Sequence, residues 1–225
     1  MKIVERSFSG RYSRPRPILR EEFNGELFLV ATVWGNTAVG QQVIDDMTKY
    51  MSAAKGDVEV TSPFEFLPCY TSEGNALRVA TLLANEQVCK GENKTSYASL
   101  IEVVAIWKNE NKISWVQCGG PQILMKKPGR DLYPLSVTVD NSLEIFGANK
   151  EMSPMPTNGL GVDDVCNLNV GSCVFEEGDH VLLLSSVKTP RDLWQITDSD
   201  LDLAKIVKKI SPQMEEQPFW LGLIG

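Results

Sequence analysis

The sequence predicts an α+β fold of antiparallel sheet and amphipathic helices, on three observations. Apolar and aromatic runs separated by tight turns, "SLIEVVAIW" (99–107), "KNEN", "KISWVQC" (112–118), "GGP" and "QILMKK" (122–127), specify consecutive antiparallel hairpins. Apolar residues recur at helical spacing after Gly40 and after Ser72. At 225 residues, 43% hydrophobic and 23% charged, the chain can bury a full core, which predicts one domain over residues 1–225.

Taken in order, residues 26–33 read as a strand through Leu27, Phe28, Leu29 and Val30, followed by a turn and a helix from about Gly40. Val43, Ile44, Met47, Tyr50 and Met51 give that helix its core face. A Gly/Pro-containing stretch from Gly56 to Pro68 precedes a second helix, capped by Ser72, with Leu77, Ala80, Leu83 or Ala84, and Val88 on one face. The hairpin block comes next. Residues 147–161, rich in Gly, Pro and Asn, read as loop. "CVFEEGDHVLLLSS" gives two strands around the turn at Glu177, Gly178 and Asp179. A last helix from about Asp198 carries Leu203, Ile206, Val207 and Ile210 on one face, with acids first and Lys205, Lys208 and Lys209 later, as the helix dipole favours. "PFWLGLIG" reads as a closing core strand.

The net charge of −7 argues against nucleic acid or an anionic membrane as a partner. Charge is uneven, however: Lys2, Arg6, Arg11, Arg14, Arg16 and Arg20 face only Glu5 within the first twenty residues. That run reads either as a solvated basic edge or as a local anion site. The first ten residues hold no apolar segment long enough for a signal peptide, so a cytoplasmic location is expected. Five cysteines without a C-x-x-C pair are expected to be reduced and mostly structural. The sequon at Asn93, Lys94 and Thr95 then carries no weight without secretion.

Three segments together resemble a known family. "SFSGRYSRPRP" with "ELFLVATVWGNTAVGQQV" resembles the opening of the metal-dependent serine/threonine phosphatases of the type-2C (PPM) class, where a Gly/Arg/Asn-Glu-Asp region precedes a strand ending in Asp-Gly-x-Gly-Gly. "ASLIEVVAIWKNENKISWVQCGGPQILMKKPG" resembles the central hairpins with their Gly-Asp-Ser-Arg turn, and "NGLGVDD" with "FEEGDHVLLLSSVKTPRDLW" resembles the stretch ending in Ser-Asp-Gly. The resemblance implies two antiparallel β-sheets packed as a sandwich with helices on both outer faces. It also implies a chemistry in which aspartates hold two divalent metals that lower the pKa of a bridging water.

Carried over by position, the acids are missing. The first metal-binding aspartate falls on Thr32, with Val33 in place of the following glycine and only Gly35 kept. The Asn-Glu-Asp register falls near Arg16, Pro17 and Ile18. Gly-Asp-Ser-Arg becomes Gly119, Gly120, Pro121 and Gln122; Ser-Asp-Gly becomes Ser185, Ser186 and Val187; the late aspartate falls near Gln217 and Pro218. The degenerate metal-site positions are therefore Thr32, Val33, Gly120, Ser186 and Gln217, with no metal and no other cofactor expected. Glu21, Glu22, Asp45, Asp46, Asp163 and Asp164 are the acids that a relocated site would draw on, but adjacent acids are ordinarily solvated surface. Thr32, Ser185 and Ser186 lack an activating base, and His180 reads as structural.

Arg11 or Arg14 falls near the place where the family's arginine holds substrate phosphate, and a guanidinium can do so without a metal. Trp34 replaces an open glycine turn, where it fills the vacated space or anchors a partner; Trp107, Trp115 and Trp220 read as core. The functional expectation is a catalytically inactive phosphatase-like protein that binds a protein partner, in one version a phosphorylated one, in a regulatory or scaffolding role. The alternatives are a divergent phosphatase with relocated ligands and a structural subunit of an assembly.

Overall fold

The computed structural model describes residues 1–56, 62–138, 140–142, 153–214 and 217–225. These divide into two compact units, each assembled from separate stretches of chain. The first comprises Met1–Arg16, Gly120–Thr157 and Glu176–Gly225; the second comprises Pro17–Gly119 and Asn158–Phe175.

The second unit holds a five-stranded antiparallel sheet, built from β2 (Ile18–Glu22), β3 (Leu27–Trp34), β4 (Leu100–Asn109), β5 (Lys112–Cys118) and β8 (Asn169–Val174) in that spatial order. Helices α1 (Thr37–Gly56) and α2 (Ser72–Lys90) pack on each other, α1 also on β3 and α2 on β4 and β5. Their predicted faces meet the sheet: Val43, Ile44, Met47, Met51, Leu77, Ala80, Ala84 and Val88 are buried with Leu27, Leu29, Ala31, Val103 and Val116 in one core. Each fully buried Val, Leu, Ile or Met side chain among these contributes roughly 1.5–3 kcal/mol. Thr71, rather than Ser72, caps α2, its hydroxyl accepting from Gly74 N at 3.0 Å.

The first unit holds the sheet β1 (Ile3–Phe8), β10 (Phe219–Ile224), β9 (His180–Ser185), β6 (Gln122–Lys126) and β7 (Tyr133–Ser136), again antiparallel throughout. Its core joins Leu124, Leu182, Leu184, Phe219 and Leu221 to Leu203, Ile206 and Ile210 of α3 (Leu203–Ile210). This helix starts later than expected. Asp198–Asp200 form a single 3-10 turn, and Asp202 is the α3 cap, accepting from Ala204 N and Lys205 N.

Two further expectations change. β4 and β5 form the predicted hairpin, with Asn109 opposite Lys112, but β6 does not continue it: the chain leaves that sheet at Gly119 and Gly120 and pairs β6 with β7 and β9. Likewise β8 pairs with β5, not with β9. A buried apolar run carries the same local signal whichever sheet accepts it. Strands β1, β2 and β7 lack a clear sequence signal, being short, half-exposed or interrupted by charge. Of the expected 147–161 loop, residues 147–152 lie outside the described residues, and residues 153–161 are irregular apart from isolated bridges at Pro156 and Leu160.

Candidate functional site

Strand β3 lies between β2 and β4, and its residues Leu27–Val33 are all buried. Register brings Thr32 opposite Glu102, Val33 opposite Ile101 and Trp34 opposite Leu100. Thr32 is fully buried, and its Oγ1 has no hydrogen-bond partner among the described residues. Glu102 is only 2% exposed, an acid in an otherwise apolar strand. Trp34, at the end of β3, donates its indole Nε1 to Glu102 Oε2 at 2.8 Å.

The turn beyond is equally filled. Gly35 sits at φ +126°, with its α-carbon hydrogens against the Ala98 carbonyl and the Ser99 hydroxyl, where any side chain would collide. Ser99 Oγ accepts from Asn36 N at 3.0 Å, and Asn36 Oδ1 accepts from Ala38 N at 3.1 Å, which starts α1. Val33 packs against Gly40 of that helix. The strand end that would carry a ligand acid is thus a packed corner in which a tryptophan and a buried carboxylate satisfy each other.

The remaining degenerate positions belong to the first unit. Gly120 is buried ahead of Pro121. Ser186, 4% exposed, donates to Lys188 O at 2.8 Å. Gln217 is buried, and its Oε1 has no hydrogen-bond partner among the described residues. All five positions are neutral, so this set lacks the charged oxygens that Mg²⁺ or Mn²⁺ needs. Among the described residues no three His, Cys, Asp or Glu side chains group as a metal site. None of these five side chains is by itself a ligand of the kind a divalent ion prefers.

The acids considered as replacements are engaged or solvated. Asp45 accepts from Arg20 at 2.8 Å and from Gln41 at 3.1 Å, Asp46 accepts from Gln42 at 2.8 Å, and Glu22 lies 3.4 Å from Arg20. Glu21, Asp163 and Asp164 are exposed. His180 Nδ1 lies 2.9 Å from Gly178 O, a local turn contact. All five cysteines are free thiols.

Three bases of the N-terminal run pair with carboxylates, one inside the run and two remote in sequence. Arg14, its side chain 4% exposed, donates Nε to Ser185 Oγ at 2.8 Å and lies 3.8 Å from Asp140 through Nη1. Asp140 in turn accepts on Oδ1 from Ser142 and from Met155 N. Arg16 pairs with Glu5, which holds the guanidinium firmly protonated, and Arg20 pairs with Asp45. Arg11 is exposed, with its guanidinium carbon 5.9 Å from the Tyr12 ring. A cavity of about 360 Å³ lies along this segment, lined by Ser7, Phe8, Ser9, Tyr12, Arg14 and Trp220 among others. Arg14, Arg16 and Arg20 thus each meet a carboxylate, while Arg11 and Arg16 remain exposed.

Trp107, Trp115 and Trp220 are buried as expected, Trp220 donating to Glu5 at 2.5 Å. Sequence reasoning missed two acids. Glu102 had a usable signal, a lone carboxylate inside "LIEVVAIW"; Asp140 had none, because its partner Arg14 is remote in sequence.

No protein-family model matches the chain, and no curated protein does. Solved structures do match along the whole length. The PPM Ser-Thr phosphatase MsPP of Mycobacterium smegmatis superposes with a TM-score of 0.64 at 12% identity, covering 100% of this chain and 97% of that one. PppA of Pseudomonas aeruginosa, described as a key regulatory component of its T6SS, gives 0.64 at 16% identity, covering 99% and 96%. The serine/threonine phosphatase of S. agalactiae gives 0.64 at 15%, covering 99% and 98%. With two five-stranded antiparallel sheets, their accompanying helices and these end-to-end matches, the chain has the fold of the PPM serine/threonine phosphatases.

Proposed function

We propose that this protein is a pseudophosphatase, a catalytically inactive PPM-fold binding module that engages a protein partner in a regulatory or scaffolding role as a single domain. The observation that carries the reading is the corner at Thr32, Trp34 and Glu102. A neutral, fully buried Thr32 stands where the resemblance calls for a metal-binding acid, and the nearby carboxylate is committed to the Trp34 indole. Without charged oxygen ligands there is no metal to lower the pKa of a water and make it a nucleophile at neutral pH. The regulatory description of PppA agrees with a regulatory role but concerns that protein. The pI of about 4.9 favours a protein partner over nucleic acid or an anionic membrane. Among the described residues no helix is long and apolar enough to cross a membrane; a cytoplasmic location is part of the proposal.

The test is turnover of p-nitrophenyl phosphate and of a phosphoserine peptide with millimolar Mn²⁺ or Mg²⁺. The expected result is no hydrolysis above buffer. Metal-dependent hydrolysis abolished by Glu21→Gln, Glu22→Gln or Asp163→Asn would establish the divergent phosphatase instead. A phosphate-reading version would draw on the exposed Arg11 and on Arg14, which borders a cavity also lined by Ser7, Ser9 and Tyr12. It predicts phosphopeptide binding that Arg11→Ala and Arg14→Ala each weaken; unchanged binding removes both arginines from the function.

A further inference from the structure

Cys118 and Cys166 are remote in sequence but meet in the core of the second unit, where they are 0% and 7% exposed. Cys118 ends β5, and Cys166 lies on the loop between the bridge at Leu160 and β8. Their thiols are within hydrogen-bonding reach of each other.

The backbone around the pair is tied down on both sides. Asn158 Oδ1 accepts from the Cys118 thiol at 3.6 Å, while its Nδ2 donates at 2.7 Å to the carbonyl of Asn167, the residue after Cys166. One amide thus links the end of β5 to the loop. The Asn158 carbonyl also lies against Gly119, where a β-carbon would come within 2.3 Å of it. On the α2 side, Asn85, 1% exposed, donates to Asp163 O at 2.9 Å and to Asp164 O at 3.2 Å, and accepts from Gly161 N at 2.9 Å. A disulfide needs two sulfurs that can close to roughly 2.05 Å without dragging the backbone. Two anchored thiols already in contact meet that need.

The two sulfurs are not equivalent. The hydrogen bond from Cys118, helped by the charge of Arg78, lowers the Cys166 thiol, whereas that same bond and burial push Cys118 up. Cys166 is therefore the sulfur that ionises, and the thiolate is the nucleophile. Cys89 is close by, its thiol donating to Asp163 O at 3.6 Å, but burial and the charge of Asp164 push it up and keep it protonated.

We infer that Cys118 and Cys166 form a redox pair that hydrogen peroxide converts into an intramolecular disulfide, with Cys166 oxidised first and Cys118 resolving it. The Cys166 thiolate attacks one peroxide oxygen, the O–O bond breaks, and hydroxide leaves to take up the proton that Cys166 released. Cys166 is then a sulfenic acid. Cys118 attacks its sulfur, the S–S bond forms, and the hydroxyl departs with the Cys118 proton as a second water. Two thiols lose two electrons and one peroxide becomes two waters. A dithiol reductant reverses the step by exchange. The bond ties the end of β5 to the loop that leads into β8. Reversible bridges of this kind are the ones found in reducing compartments.

The test treats the folded full chain with hydrogen peroxide, removes the excess with catalase, alkylates in denaturant and maps the unreduced peptides by mass spectrometry. The expected result is a peptide pair joined through Cys118 and Cys166, a loss of two of the five thiols that dithiothreitol restores, and alkylation retained at Cys69, Cys89 and Cys173. With Cys118→Ala, dimedone should trap a sulfenic acid at Cys166; with Cys166→Ala, Cys118 should stay alkylatable after peroxide. The map of the unmutated chain decides the pairing even if a variant fails to fold. Both thiols still alkylated, a bridge from Cys166 to Cys89, or disulfides only between chains would overturn the inference. It stands apart from the pseudophosphatase reading, which phosphoester turnover would overturn while leaving the pair untouched.

Discussion

Trp34→Phe keeps an aromatic ring at the end of β3 and removes only the indole donor that meets Glu102 Oε2 at 2.8 Å. A hydrogen bond to a charged, buried acceptor contributes about 1.5–3 kcal/mol, so urea unfolding of this variant should show a loss in that range. Thr32→Val tests the opposite case. The Thr32 hydroxyl is fully buried with no hydrogen-bond partner among the described residues, so removing it should leave stability unchanged or raise it by about 1 kcal/mol. A loss above about 1 kcal/mol would show that the hydroxyl is satisfied after all. At this scale the burial of Leu27–Val33 was legible in a local apolar run. The sequence was silent where two residues remote in sequence meet, as with Trp34 and Glu102 or Arg14 and Asp140, because no local periodicity encodes such a pair.

Among the elements, the β5 and β8 pairing depends on one small residue. Trp115 stands opposite Gly171, and its ring lies directly over the glycine, so that a β-carbon there would press into the indole. Gly171→Ala should destabilise by roughly 1–3 kcal/mol through overpacking, read as a lower urea midpoint with an unchanged slope. The entry to α3 carries an acid-sensitive element. Asp200 accepts from Thr197 N and Thr197 Oγ1 and pairs with Lys209, which lowers its carboxyl from 3.8 to about 2. A carboxyl depressed in the folded state stabilises above its ordinary value and loses that contribution as pH falls through the folded one. Asp200→Asn should therefore flatten the acid limb of stability between these two values, with little effect on its shape at neutral pH. The amphipathic helices and the β4 and β5 hairpin were readable because their signals are local. The change of sheet at Gly119 and Gly120 was not, since "QILMK" is apolar in either setting, and β1 finds its partner β10 only at the far end of the chain.

For the whole molecule, each unit gathers segments distant in sequence, so the fold rests on long-range pairing. The proposed inactivity is then a question of donor chemistry, which thermal unfolding of the chelator-treated protein can settle across Mn²⁺ and Mg²⁺ concentrations. A divalent ion at about 100 times its dissociation constant would add roughly 2.7 kcal/mol to a state that alone binds it, several degrees of Tm at this size. With Thr32, Val33, Gly120, Ser186 and Gln217 all neutral, no saturable rise is expected to millimolar metal. Thr32→Asp sharpens the test. It places a second carboxylate opposite the buried Glu102, so Tm should fall in the absence of metal, two like charges being confined away from water. One restored acid does not rebuild a site whose other positions remain neutral, so added Mn²⁺ should not recover the loss. Recovery would mean that the introduced carboxylate and Glu102 suffice to hold an ion, and that the neutral Thr32 alone separates this chain from metal binding.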